Sequence, residues 1–259
     1  MKQTVFQSPR PLRERARVRG KKAAFTLAEV LITLGIIGVV AALTMPSLIT
    51  KHQKNVTVNS LKKFYSALSQ AKTLSETVNG PLANWEFKPV GNKQYRRDDF
   101  DKYFRPYLNI VDECKSAEQC KIAELLQGNF VRAPFYIMNN GTIFMISCSN
   151  ESETSEHGCY VIADINGNKG PNVYGKDIFF MDIFDRQGLV MLGMYPDDGK
   201  SMTPVTRDEL KNGTLINTSQ ETPDTACCNT TCATDGYKYY TCGALIQVDG
   251  WKIADDYPW

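Results

Sequence analysis

Glu29 is the one ionisable side chain in an apolar run that opens at Ala23 and continues to Ile49, AAFTLAEVLITLGIIGVVAALTMPSLI. A carboxylate placed there costs free energy in lipid unless a cation meets it, so the chemistry it offers is pairing with a positive charge. Eight cysteines follow the run: Cys114, Cys120, Cys148, Cys159, Cys227, Cys228, Cys232 and Cys242. An even count confined to one side of a candidate membrane segment reads as disulfides formed in an oxidising compartment. Cys114 with Cys120, and Cys148 with Cys159, each close a short loop. Adjacent Cys227 and Cys228 are poorly placed to bond each other, so each is expected to pair with Cys232 or Cys242, in an order left open. The spacing C-C-x3-C-x9-C lacks the two well-separated pairs that a zinc site wants.

Other candidate chemistry is sparse. Asp164, Asn166 and Asn168 alternate as in the first half of a calcium loop. A full loop of that kind wants Gly at its sixth position and Glu at its twelfth, where this chain has Lys169 and Gly175, with Asp177 as a substitute nearby. The favoured reading is a turn rich in Asn, Gly and Pro, with no metal and no cofactor. His52, beside Lys51, reads as an interfacial residue, and His157 sits in the Cys148 to Cys159 loop with no nucleophile-elbow pattern beside it. Neither a Walker loop nor a dinucleotide-binding glycine pattern is present, so no catalysis is expected. Trp251, Tyr257 and Trp259 near the C-terminus read as packing residues before they read as a surface for stacking on a glycan or a partner.

These residues need elements to hold them. From Val30 to Ile49 there is no charge over about 20 residues, enough for a helix to cross a bilayer core of about 30 Å. Residues 1–24 carry eight basic side chains against the single acid Glu14, a net +7 that leaves −5 for the rest of a +2 chain. By the positive-inside rule the N-terminus stays in the cytoplasm and the body crosses, in agreement with the cysteines. An acidic body argues against nucleic acid as a partner. Two ordinary readings are a signal anchor and a secretory signal peptide with an h-region from Val30 to about Leu43, cut near Ala41 or Ala42, which would release a soluble binding module. Glu29 at the mouth of the h-region counts against the second. So does the continuing pattern beyond Pro46: Val58, Leu61, Phe64, Tyr65, Leu68, Ala71, Leu74 and Val78 form the stripe of an amphipathic helix that stops at Gly80-Pro81.

At this point KKAAFTLAEVLITLGIIG resembles the N-terminal cleavage and methylation motif of type IV prepilins and type II secretion pseudopilins. In that family a basic leader ends in a small residue, usually Gly, followed by Phe and then by Glu at the fifth mature position. The matching residues here are Ala24, Phe25 and Glu29, with Pro46 at a place where the family often carries a helix-kinking proline. Ala24 for Gly is the departure, a small-for-small change that lowers the expected efficiency of cleavage. The resemblance implies a leader 1–24 removed by a prepilin peptidase, N-methylation of Phe25, a transmembrane and assembly helix over 25–50, and an extracytoplasmic domain over 51–259. It also implies single-pass insertion in the inner membrane, with a polytopic platform protein, an assembly ATPase and other pilin subunits as partners. On packing into a filament, Glu29 would face the amine of Phe25 in a neighbour. A carboxylate paired in this way is tolerated in an apolar core and fixes register.

With 42% hydrophobic and 22% charged residues among 259, the body is ordered and large enough for one sizeable core. DDFDKYFRPYL reads as a short helix ending near Pro106, and IAELLQ as another. APFYIMNNGTIFMISC reads as a hairpin turning at Asn140-Gly141 with both central residues at positive φ, followed by strands in CYVIAD, DIFFMDIF and LVMLGM. The fold class expected is α+β: a long helix, membrane half plus amphipathic half, packed on four or five antiparallel strands. The polar stretch from Tyr195 to Tyr240 reads as a disulfide-held surface loop.

Overall fold

The computed structural model describes residues 25–87, 93–114, 119–120, 134–149, 158–167, 169–195, 203–217, 224–232 and 237–259. The leader with Ala24, the IAELLQ helix, His157 and Asn168 lie outside these. The chain divides into two units, 1–49 and 50–259. One helix, α1 (Leu27–Asn79), contributes to both and continues through Pro46.

In the first unit every described residue from Phe25 to Ile49 except Ala41 is exposed. This part is long and apolar enough to cross a membrane. In the second unit α1 buries Val58, Leu61, Phe64, Leu68, Ala71 and Ser75, steps of three and four that keep one face turned inward. The stripe read from sequence slips in its last turns. Leu74 is 50% and Val78 71% exposed, because the buried line continues from Ala71 to Ser75, where Asn79 donates to the Ser75 hydroxyl at 3.1 Å. The helix stops at Gly80, whose φ of +81° takes the left-handed conformation that suits glycine.

Six strands follow as an antiparallel meander in chain order: β1 (Ile110–Cys114), β2 (Phe135–Met138), β3 (Ile143–Ser149), β4 (Gly158–Asp164), β5 (Ile178–Phe184) and β6 (Gly188–Met191). Side-chain alternation sends Phe144, Val161, Phe179 and Met181 into the core with α1, and Ile143, Ile162, Ile178 and Phe180 into a second cluster. Both faces are therefore apolar. Phe64 of α1 meets Phe144 at 5.2 Å between ring centroids. Tyr65 donates to the Leu189 carbonyl at 2.5 Å, tying the helix to β6.

Around the sheet stand α2 (Lys93–Tyr103), a 3-10 turn at Arg105–Tyr107, α3 (Arg207–Asn212), the β7 (Thr214–Asn217) and β8 (Asp224–Ala226) pair, and α4 (Cys242–Val248). Four disulfides join Cys114 to Cys120, Cys148 to Cys159, Cys227 to Cys232 and Cys228 to Cys242. Cys148 and Cys159 face each other across β3 and β4. The Cys228 to Cys242 bond ties the segment after β8 to the start of α4, and among the described residues of the stretch read as a surface loop Leu210, Ala226 and Cys228 are buried in the body. At the β2–β3 turn only Gly141 has positive φ. Asn140 instead accepts from the Thr142 N–H through its side chain at 3.0 Å, an Asx-type turn in place of the expected hairpin geometry.

Gly167 shows how tightly the β4–β5 loop approaches that turn. Its φ is +65° and a Cβ would lie 2.3 Å from the Gly141 carbonyl oxygen, a backbone atom. Gly167→Ala is expected to destabilise the body by about 2 kcal/mol or more, combining left-handed strain with a clash that only a backbone shift relieves. A fall in the urea midpoint of the detergent-solubilised chain would register it.

Candidate functional site

The helix start around Glu29 is a capping box. Thr26 precedes the first helical residue, and its backbone N–H and hydroxyl both donate to Glu29 Oε2, at 2.8 and 2.9 Å. The Glu29 N–H returns the favour to Thr26 Oγ1 at 3.2 Å. The pattern T-x-x-E ahead of an apolar run is legible in sequence, yet the carboxylate drew attention to itself as a lone charge and its local role was missed. Two threonines further along satisfy their hydroxyls inside the helix: Thr33 donates to the Glu29 carbonyl at 2.9 Å and Thr44 to the Val40 carbonyl at 2.9 Å. Such back-bonding lets a hydroxyl sit in an apolar medium. Phe25 is 83% exposed, and no atom lies within 4 Å of a Cβ built on Gly35 or Gly38. One face of this helix therefore offers close approach to another helix.

In the body, the loop between β4 and β5 concentrates polar groups. Asp164 Oδ1 accepts from the N–H groups of Asn166 and Gly167 at 3.1 and 2.9 Å. Asp177 closes the loop, taking Asn166 Nδ2 at 3.2 Å and Asn172 N at 2.7 Å on Oδ2, and Val173 N at 2.5 Å on Oδ1. Burial pushes the Asp164 carboxyl up to about 7; the charge of Asp177 adds to the rise, and the Asn166 and Gly167 amides oppose it. Beside the loop lies a cavity of about 370 Å³ whose walls include His52, Thr57, Asn166, Lys176, Asp177 and Trp259. Lys176 holds its ammonium 5.8 Å from the centre of the Trp259 ring. Tyr257 is buried and donates to the Gly175 carbonyl. Trp251 meets Tyr65 edge-on at 5.3 Å. The aromatic tail thus packs on the body.

No described group of three His, Cys, Asp or Glu side chains is arranged to share a metal ion, and all eight cysteines are in disulfides.

Residues 47–259 match the model of a family described as a family of unknown function (DUF6613). Residues 19–45 match the prokaryotic N-terminal methylation motif. No curated protein and no solved structure matches the chain.

Proposed function

The chain belongs to the family of unknown function (DUF6613) and, by its methylation motif, is a type IV pilin-like or pseudopilin-like protein; from that premise we propose that it is a structural subunit, a minor pilin or pseudopilin, of a type IV pilus or type II secretion-like filament. The motif points to a structural pilin and implies a prepilin peptidase and other pilins as partners. One N-terminal apolar helix fits a single-pass membrane anchor. In our reading the N-terminus is cytoplasmic, the leader is cut after Ala24, Phe25 becomes the methylated first residue, and a platform protein and an assembly ATPase drive insertion of the subunit into the filament. Pro46 loosens the helix between the lipid half and the half that closes the core, by removing one backbone donor. A body with four disulfides is bulky for a repeating filament subunit, which favours a minor or initiating role.

A single observation carries this reading: the methylation motif coincides with the start of a capped helix whose first half, to Ile49, is exposed and apolar apart from Glu29. Mass spectrometry of the protein from a host with a prepilin peptidase is expected to find N-methyl-phenylalanine at Phe25. A mature start near Ala42 or Leu43 would overturn the proposal in favour of a secreted binding module.

A further inference from the structure

Between Glu29 and Glu76 the chain carries Lys51, Lys54, Lys62, Lys63 and Lys72, and neither Asp nor Glu. All five lysines stand on α1. Lys72 is paired with Glu76 at 2.8 Å. Among the described residues none of the other four forms an ion pair, and Lys62 stands 6.0 Å from the centre of the Trp251 ring. Lys51, Lys62 and Lys63 are exposed and Lys54 is half-buried. From Glu76 onward the balance reverses, with acidic side chains outnumbering basic ones 26 to 17. The chain thus sets an unneutralised basic stretch directly after its apolar run and an acidic remainder beyond it.

Distance along the helix divides the four. At a rise of about 1.5 Å per residue, Lys51 and Lys54 follow Ile49 by about 3 and 8 Å, and Lys62 and Lys63 by about 20 Å. Headgroups fill about 5–7 Å beyond the hydrocarbon on each side of a bilayer, and salt screens charges farther apart than about 8–10 Å. Lys51 and Lys54 therefore fall where headgroup charge is felt, and Lys62 and Lys63 fall outside it. A lysine at that depth lays its apolar stem along the helix and lifts its ammonium to the headgroup level. Anionic lipid attracts a basic segment beside a span, and it repels an acidic one. Once the leader 1–24 is cut away, its eight basic side chains go with it. Lys51 and Lys54 then form the basic flank of the mature span.

We propose that Lys51 and Lys54 bind the phosphate groups of anionic phospholipids on the exported face of the membrane and pin the exit of the span at headgroup level. The inference rests on the membrane-anchored reading above. Each ammonium brings three N–H donors to phosphate oxygens, and the charge on both partners strengthens the bonds. The depth of the anchor is then fixed by charge as well as by the length of the apolar run.

The full chain is reconstituted in vesicles of phosphatidylcholine alone and of an equimolar mixture with phosphatidylglycerol, and its lysines are acetylated by an uncharged reagent and followed by mass spectrometry. Lys51 and Lys54 are expected to react about fivefold more slowly in the mixture, a difference that high salt removes. Lys62 and Lys63 should react alike in both. The double variant Lys51→Gln, Lys54→Gln is expected to retain less phosphatidylglycerol than the wild-type chain in native mass spectrometry, and Lys62→Gln, Lys63→Gln as much. Equal rates in the two bilayers, or equal slowing of all four lysines, would overturn the proposal. So would protection already present in phosphatidylcholine that grows with protein density, which would assign Lys51 and Lys54 to the acidic surface of a second copy. A chain that alkaline carbonate strips from both vesicles would sink the membrane-anchored reading together with the proposal; one that stays, with Lys51 and Lys54 indifferent to the lipid, would sink the proposal alone.

Discussion

Glu29→Ala is expected to leave insertion into the membrane intact and, on the proposed filament reading, to cut incorporation into filaments about tenfold or more, because the amine of a neighbouring Phe25 would then lie unpaired in an apolar core. The measurement is the ratio of subunit in sheared filaments to subunit in membranes. The capping box found at the helix start offers a competing explanation, since Thr26 N–H and hydroxyl both rest on Glu29. Glu29→Gln separates the two. Glutamine at that position still closes a capping box, whereas it carries no charge to meet an amine. If pairing governs assembly, the Gln variant fails as the Ala variant does. Wild-type incorporation of the Gln variant would sink the pairing argument and leave the cap as what matters.

Phe64→Ala is expected to destabilise the body by about 3–5 kcal/mol, the usual cost of deleting a buried aromatic ring and leaving a cavity. Phe64 is 0% exposed and packs on Phe144 at the centre of the helix–sheet interface. Leu74→Ala is the internal control. Half exposed on the same helix, Leu74 should move the unfolding midpoint far less. Denaturant unfolding of the two variants in detergent, followed by circular dichroism, distinguishes them. Equal losses would mean that the buried line of α1 runs through Leu74, against the Ser75 line described above.

The long helix and its stop at Gly80 were readable because lipid-length apolarity, a 3.6-residue stripe and a Gly-Pro pair each act through local physics. Strands β2 to β6 were readable for the same reason: short runs such as FFMDIF, rich in aromatic and β-branched residues and bounded by turn residues, favour a buried strand. What escaped was set by tertiary context. Strand β1, IVDEC, alternates poorly, with Val111 exposed, and owes its conformation to pairing with β2. Helix α3 announces itself through the Thr206 to Glu209 capping box, a short signal lost in a polar stretch. Helix α4 begins at Cys242, bonded to Cys228, and its apolar residues read equally well as a strand. At the N-terminus the charged residue was legible and its local hydrogen bonds were overlooked. In the β4–β5 loop the alternating polar residues were visible, but the burial that gives them meaning was not.

Because the helix that seals the sheet is made first, its inward face leaves the ribosome with nothing to cover it. Phe64 waits 80 residues for Phe144, Tyr65 waits 124 for the Leu189 carbonyl and 182 for Gln247. Contacts so distant along the chain close slowly. During that interval the nascent polypeptide carries an uncovered apolar strip, the kind of surface that favours aggregation until the last strands arrive.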